Sequence, residues 1–229
     1  MNVSLFVIGG AISLFGLLAF LILGLRSYSL KKRANNKRYD ILTDFPFELY
    51  DGYPPISLLS RAGFIFFQAS FVFLGLSALS IDIIQGFKSY LVFLIVCLAL
   101  KGIFYSGLLF IPASNEKLHV SFALTSFLLE ALCTFMAGLF FFQFSNVYSP
   151  AFGWVFSLIC WVITAAMVFI SLNPRLMKWA KMNVVEDMDG SHLERPRPFV
   201  LAFSEWGAYI IDSLFFLLLL VSLIFGFTL

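Results

Sequence analysis

The stretch "SYLVFLIVCLALKGIFYSGLLFIP" (Ser89–Pro112) carries a single charge, Lys101, in an otherwise apolar run. At a rise of about 1.5 Å per residue such a run crosses a hydrocarbon core about 30 Å thick as one helix. Its alternation is wrong for a half-buried strand, and it is too long for a buried strand of a soluble sheet. Five further windows read the same way, so that the six spans are Val3–Leu25, Ala62–Ile84, Ser89–Pro112, Leu118–Phe144, Pro150–Leu172 and Ser204–Phe227.

The composition agrees with this pattern. Of the 229 residues 61% are hydrophobic and 12% charged, against about 45–50% and about 25% in a soluble domain. The expected class is an all-α, polytopic integral membrane protein with one six-helix domain over residues 1–229. The surrounding solvent is then a lipid bilayer, in a bacterial inner membrane or an equivalent cellular membrane. The first window has no basic stretch before it and no small-residue cleavage site after it, so it is expected to stay as a helix.

Charge sets the expected orientation. "RSYSLKKRANNKR" (Arg26–Arg38) follows the first span directly, and basic residues collect on the cytoplasmic side. Six alternating helices then put residues 26–61, 113–117 and 173–203 in the cytoplasm and both termini on the non-cytoplasmic side. Of 15 Lys and Arg, 13 fall inside, Lys88 falls outside and Lys101 lies within the membrane. Lys31, Lys32, Arg33, Lys37 and Arg38, with Trp179 at headgroup level between Lys178 and Lys181, are expected to face anionic lipids or a docking partner.

The two cytoplasmic loops are too short for independent domains. In the first, the aromatic and acidic segment "YDILTDFPFELYDGYPPISLL" (Tyr39–Leu59) contains a Pro-Pro pair that argues against helix. Its Phe45, Phe47, Tyr50 and Tyr53 are expected to pack on the protein's own cytoplasmic face, the membrane surface or a partner. In the second, "VVEDMDGSHLERPRP" (Val184–Pro198) has one DxDG without the remaining ligands of a calcium loop and reads as a solvated turn.

Ionisable residues at bilayer depth cost about 2.5–3.5 kcal/mol on insertion scales and turn toward the bundle interior. Lys101 in the third span and Glu130 in the fourth fall near the midplane of adjacent antiparallel helices and are expected to pair. Gln68 in the second span and Asp212 in the sixth extend the polar set, with Asp212 expected to reach Arg61, to accept from Tyr or Ser groups, or to be protonated. In the fourth span His119, Ala123, Ser126, Glu130, Thr134 and Ala137 recur at steps of three or four, one helical face, with Phe127, Leu128, Leu132, Phe135 and Leu139 opposite. Gly9, Ser13 and Gly16 in the first span permit a close helix approach. Cys97, Cys133 and Cys160 all lie in apolar runs and read as packing residues.

Motifs for a retinal lysine, a haem, an intramembrane serine protease, a zinc protease and a nucleotide-binding loop are missing from the sequence. No cofactor, metal or nucleic acid is expected, and an enzyme is the weaker expectation, resting only on His119 and Glu130 sharing a face. The leading expectation is a non-catalytic subunit of a larger membrane complex, an assembly, scaffold or receptor-like component with other membrane subunits or further copies of itself as partners. The alternative is a small transporter or ion- or proton-translocating subunit that uses Lys101, Glu130 and Asp212.

Overall fold

The structure, a computed structural model, describes residues 3–35, 39–46, 48, 54–79, 86–111, 115–147, 150–173, 183–187 and 190–226. Six α-helices follow one another as α1 (Val3–Asn35), α2 (Pro54–Ala78), α3 (Lys88–Leu108), α4 (Glu116–Val147), α5 (Pro150–Ser171) and α6 (Val200–Gly226). All six contain segments long and apolar enough to cross a membrane, as a multi-pass membrane protein requires. A small antiparallel hairpin, β1 (Asn183–Asp187) and β2 (Gly190–Glu194), precedes α6.

Several boundaries differ from the expected ones, each for a physical reason. The first helix runs ten residues past Leu25, because Lys, Arg, Leu and Ala in "RSYSLKKRAN" are good helix formers once clear of the membrane. The second starts at Pro54 and not at Ala62. Pro54 and Pro55 occupy its first turn, where a missing backbone N–H has no partner to lose. Residues 80–85, which include the expected end of that span and Asp82, lie outside the described residues. The acidic turn expected at Val184–Pro198 holds paired strands, with Val185 opposite His192 and Gly190 at a φ of +119°, a conformation that favours glycine.

The helices form a core and two flanks. α1 packs chiefly along α2, and α5 along α4, while α3 bridges α2 and α4 and α6 touches α2, α4 and α5. The α1–α2 seam is set by glycine: a Cβ on Gly16 would sit 2.5 Å from the Gly63 carbonyl oxygen, and one on Gly63 would sit 2.8 Å from that of Gly16. Ser60 donates to the Phe20 carbonyl at 2.8 Å along the same seam. On the other flank Ser157 donates to the Gly138 carbonyl at 3.0 Å, and the hydroxyls of Thr134 and Thr164 meet at 2.9 Å. Interhelical hydrogen bonds and small residues of this kind hold helices together where lipid removes the hydrophobic drive between them.

The ends of α1 and α3 and the starts of α2, α4 and α6 share one face of the bundle, called here the loop face. There Arg195 makes a two-pronged contact with Glu48 (2.6 and 2.7 Å) and donates to the Thr43 carbonyl at 3.0 Å. Burial opposes the Arg195 charge, but the Glu48 carboxylate and the nearby Asp44 outweigh it, so the guanidinium is held even more firmly protonated. The Phe199 amide donates to the Leu42 carbonyl, and the Trp206 indole donates to the Tyr39 hydroxyl at 2.9 Å. Burial, first of all, pushes the Tyr39 phenol above its ordinary value. Phe45 is buried among Phe199, His119 and the Arg195 guanidinium. Phe47, Tyr50 and Tyr53 lie outside the described residues.

Candidate functional site

α2, α4 and α6 run in the same direction, and their candidate spans begin at Pro55, Lys117 and Val200. Gln68, Glu130 and Asp212 each lie twelve or thirteen residues in from those starts, about 18–20 Å along the helix. Equal steps on parallel helices bring the three side chains to one level. α3 runs the opposite way and delivers Lys101 to the same level from between α2 and α4.

The four side chains meet. The Lys101 ammonium hydrogen-bonds to Asp212 Oδ1 and lies 3.2 Å from Glu130 Oε2. Gln68 Nε2 donates to the other Asp212 oxygen at 2.5 Å. The Phe71 ring closes one side, with its centroid 3.3 Å from the ammonium nitrogen, close enough for a cation–π contact. Lys101, Glu130 and Asp212 are all 0% exposed.

The partners are unequal. Asp212 takes one strong donor on each oxygen, and its expected alternative contacts with Arg61, Tyr or Ser are replaced by Lys101 and Gln68. Glu130 has the ion pair and lies beside the Asp212 carboxyl as well, yet neither of its oxygens makes a well-aligned hydrogen bond among the described residues. One ammonium therefore faces two carboxylates, a sum of one negative charge if all three are ionised. A lone buried charge is costly, and a surplus charge next to a satisfied pair is only partly relieved by it.

A second buried pair sits nearer the loop face. His119 Nε2 lies 2.7 Å from Glu205 Oε1, and its Nδ1 lies 3.3 Å from the Ile111 carbonyl. The pairing of His119 with Glu205 is absent from the sequence reading. Its only signal there is that both residues open a span on a buried face. His119 and Glu130 are eleven positions apart on α4, about 16 Å along the helix, and belong to different clusters. Between the clusters on α6 lies Tyr209, one turn from Glu205 and nearly one from Asp212, its ring 5.6 Å from that of Tyr105. The Tyr105 hydroxyl is buried and has no hydrogen-bond partner among the described residues.

The whole α4 stripe of His119, Ala123, Ser126, Glu130, Thr134 and Ala137 is buried, while Leu128, Leu132 and Phe135 are exposed. Phe127, expected on the opposite side, is buried as well, because it lies four residues from both Ala123 and Ala131. The chain matches no protein-family model, no curated protein and no solved structure.

The remaining sequence candidates are scattered. Lys31, Lys32 and Arg33 fall on the last turns of α1, and their side chains are outside the described set; Lys37, Arg38 and Trp179 lie outside the described residues. The three cysteines are free and buried within the bundle.

Proposed function

We propose that the chain is a small ion- or proton-translocating membrane subunit whose working site is the Lys101–Glu130–Asp212 cluster with Gln68. The observation that carries this reading is the second carboxylate. A structural clip between helices needs one carboxylate per ammonium, and Lys101 already has Asp212. Glu130 adds a buried acid with unsatisfied oxygens at a depth where charge is expensive. Such a group suits binding and releasing a proton or exchanging a small cation. Glu205, Tyr209 and Asp212 on one side of α6 line up toward the loop face and suit a relay. On the 13-to-1 division of Lys and Arg, the loop face is the cytoplasmic one and both termini are outside.

The test is purified protein in liposomes carrying a pH-sensitive dye, with a proton gradient imposed. The wild type is expected to dissipate the gradient, and E130Q to lose most of that rate while remaining folded. Equal rates for the wild type, E130Q and protein-free liposomes would refute the reading.

The second reading, a non-catalytic assembly, scaffold or receptor-like subunit, is favoured by α1. That helix packs chiefly on α2 and leaves Leu14, Phe15 and Ile22 about 60% exposed, a face available to another membrane helix. Gentle-detergent purification that returns a stoichiometric protein partner would support it.

A further inference from the structure

α1 makes its close approach to α2 at Gly16 and Gly63 and meets α6 more loosely, with the Phe20 and Tyr209 rings 6.2 Å apart. The gap is a groove of about 630 Å³, floored by Phe64 and Phe67 of α2 and walled almost entirely by apolar side chains. On α1 it runs from Gly10 to Leu21, about 16 Å, and on α6 from Trp206 to Leu220, about 21 Å. The groove is therefore a little longer than one leaflet, half of a core about 30 Å thick, and too short to seat a helix that crosses both leaflets. That length suits a single lipid tail better than a partner's transmembrane helix.

The two ends of the groove differ in chemistry. At the loop-face end Trp206 and Tyr39 form a hydrogen-bonded aromatic pair, the residue types that favour the membrane interface. α1 continues beyond the groove without a break to Asn35, carrying Arg26, Lys31, Lys32 and Arg33. At 100° per residue, Lys32 occupies the helical position that continues the row of Leu14, Leu17 and Leu21, about 16 Å beyond Leu21. Positive charge is thus placed beyond the mouth of an apolar slot.

We infer that this groove holds one tail of an anionic glycerophospholipid drawn from the leaflet at the loop face, with its phosphate at the basic end of α1. Tyr209 and Ser213 form part of its wall and flank Asp212 on α6, so the tail lies one helix wall from the charged cluster. The site goes beyond the proposed ion-translocating role and stands or falls without it.

The experiment compares lipid retention by native mass spectrometry, with phosphatidylglycerol and phosphatidylcholine of identical tails as probes. Wild-type protein is expected to keep one phosphatidylglycerol under detergent washing that strips phosphatidylcholine. A Cβ on Gly10 meets nothing within 4 Å, so Gly10→Phe projects into open groove. G10F is expected to lose at least tenfold in retention with an unchanged unfolding temperature, whereas Leu100→Phe, on the outer face of α3, loses none. Replacing Lys31, Lys32 and Arg33 by Gln is expected to lower the anionic preference about fivefold per charge, the equivalent of about 1 kcal/mol each. A photoactivatable tail on phosphatidylglycerol provides a readout that needs no variant, and should label residues 10–21 and 206–220 of the wild type. Labelling spread evenly over α3 and α5, or G10F retaining lipid as the wild type does, would overturn the assignment. So would a protein recovered in place of the lipid.

Discussion

Lys101→Met is the most informative single change. It removes the one ammonium in the cluster and strands two carboxylates, Asp212 and Glu130, both fully buried. Breaking a buried pair by deleting one partner costs about 3–5 kcal/mol in known cases. For a chain of this length that corresponds to a fall of roughly 6–20 °C in the unfolding midpoint. Asp212→Asn is milder. Lys101 keeps Glu130 at 3.2 Å and the charges balance, but the new amide has one oxygen for the two donors Lys101 and Gln68, so one of those hydrogen bonds is lost. Glu130→Gln is milder again: it gives up the 3.2 Å ion pair, but Lys101 keeps Asp212, the Lys101–Asp212–Gln68 contacts remain intact and no charge is stranded, so its cost is expected below about 1 kcal/mol. The assay uses the chain's own chemistry: Cys97, Cys133 and Cys160 are free and buried, so a thiol-reactive fluorogenic dye reports unfolding in detergent. The expected order of midpoints is wild type ≈ E130Q > D212N > K101M. If E130Q is as destabilised as K101M, Glu130 is a structural partner of Lys101, and the surplus-acid reading fails.

Two further outcomes follow from single contacts and a third from the charge distribution. Gly16→Leu or Gly63→Leu should separate α1 from α2, costing about 1–3 kcal/mol in the same dye assay and reducing folded yield, because neither backbone can give way. His119→Ala or Glu205→Gln should each cost about 1–3 kcal/mol by leaving a buried partner unsatisfied, and a double mutant that costs the sum would show the two residues to be uncoupled. Cysteines placed at Asn36 and Ser191 should react with an impermeant thiol reagent only after the cytoplasmic side is opened; labelling of either in sealed cells contradicts the orientation.

The spans were readable because a helix in lipid must be apolar nearly all round, and composition alone shows that. Their ends were less readable because the rules for ends are local. Pro54 and Pro55 signal a break inside a helix and a start at its first turn, and the sequence alone does not say which. The charged "LKKRAN" of α1 reads as loop by polarity and as helix by propensity. At the site, depth was legible and adjacency was not. Lys101 and Glu130 lie on neighbouring helices joined by a short connection, so their proximity follows from counting. Asp212 is 111 residues from Lys101, and its place beside that lysine depends on α6 inserting against α2 and α4. The same holds for His119 and Glu205, 86 residues apart.

The cluster draws one polar group from each of α2, α3, α4 and α6, while the flanking helices α1 and α5 contribute none. If all four served only to hold these helices in register, each should add stability. Three do so through hydrogen bonds, and Glu130 is the exception. Replacing buried ionic groups by apolar residues of similar volume is often neutral or stabilising, by up to about 4 kcal/mol, when no charge is left stranded. Glu130→Leu meets that condition, because it leaves the Lys101–Asp212 pair balanced. It is therefore expected to raise the unfolding midpoint by a few degrees while abolishing gradient dissipation in liposomes, the trade expected where an acid is kept for function at the expense of stability. A Glu130→Leu protein that is less stable than the wild type and equally active would reverse the argument: the acid would then serve packing, and the weight would move to the subunit reading.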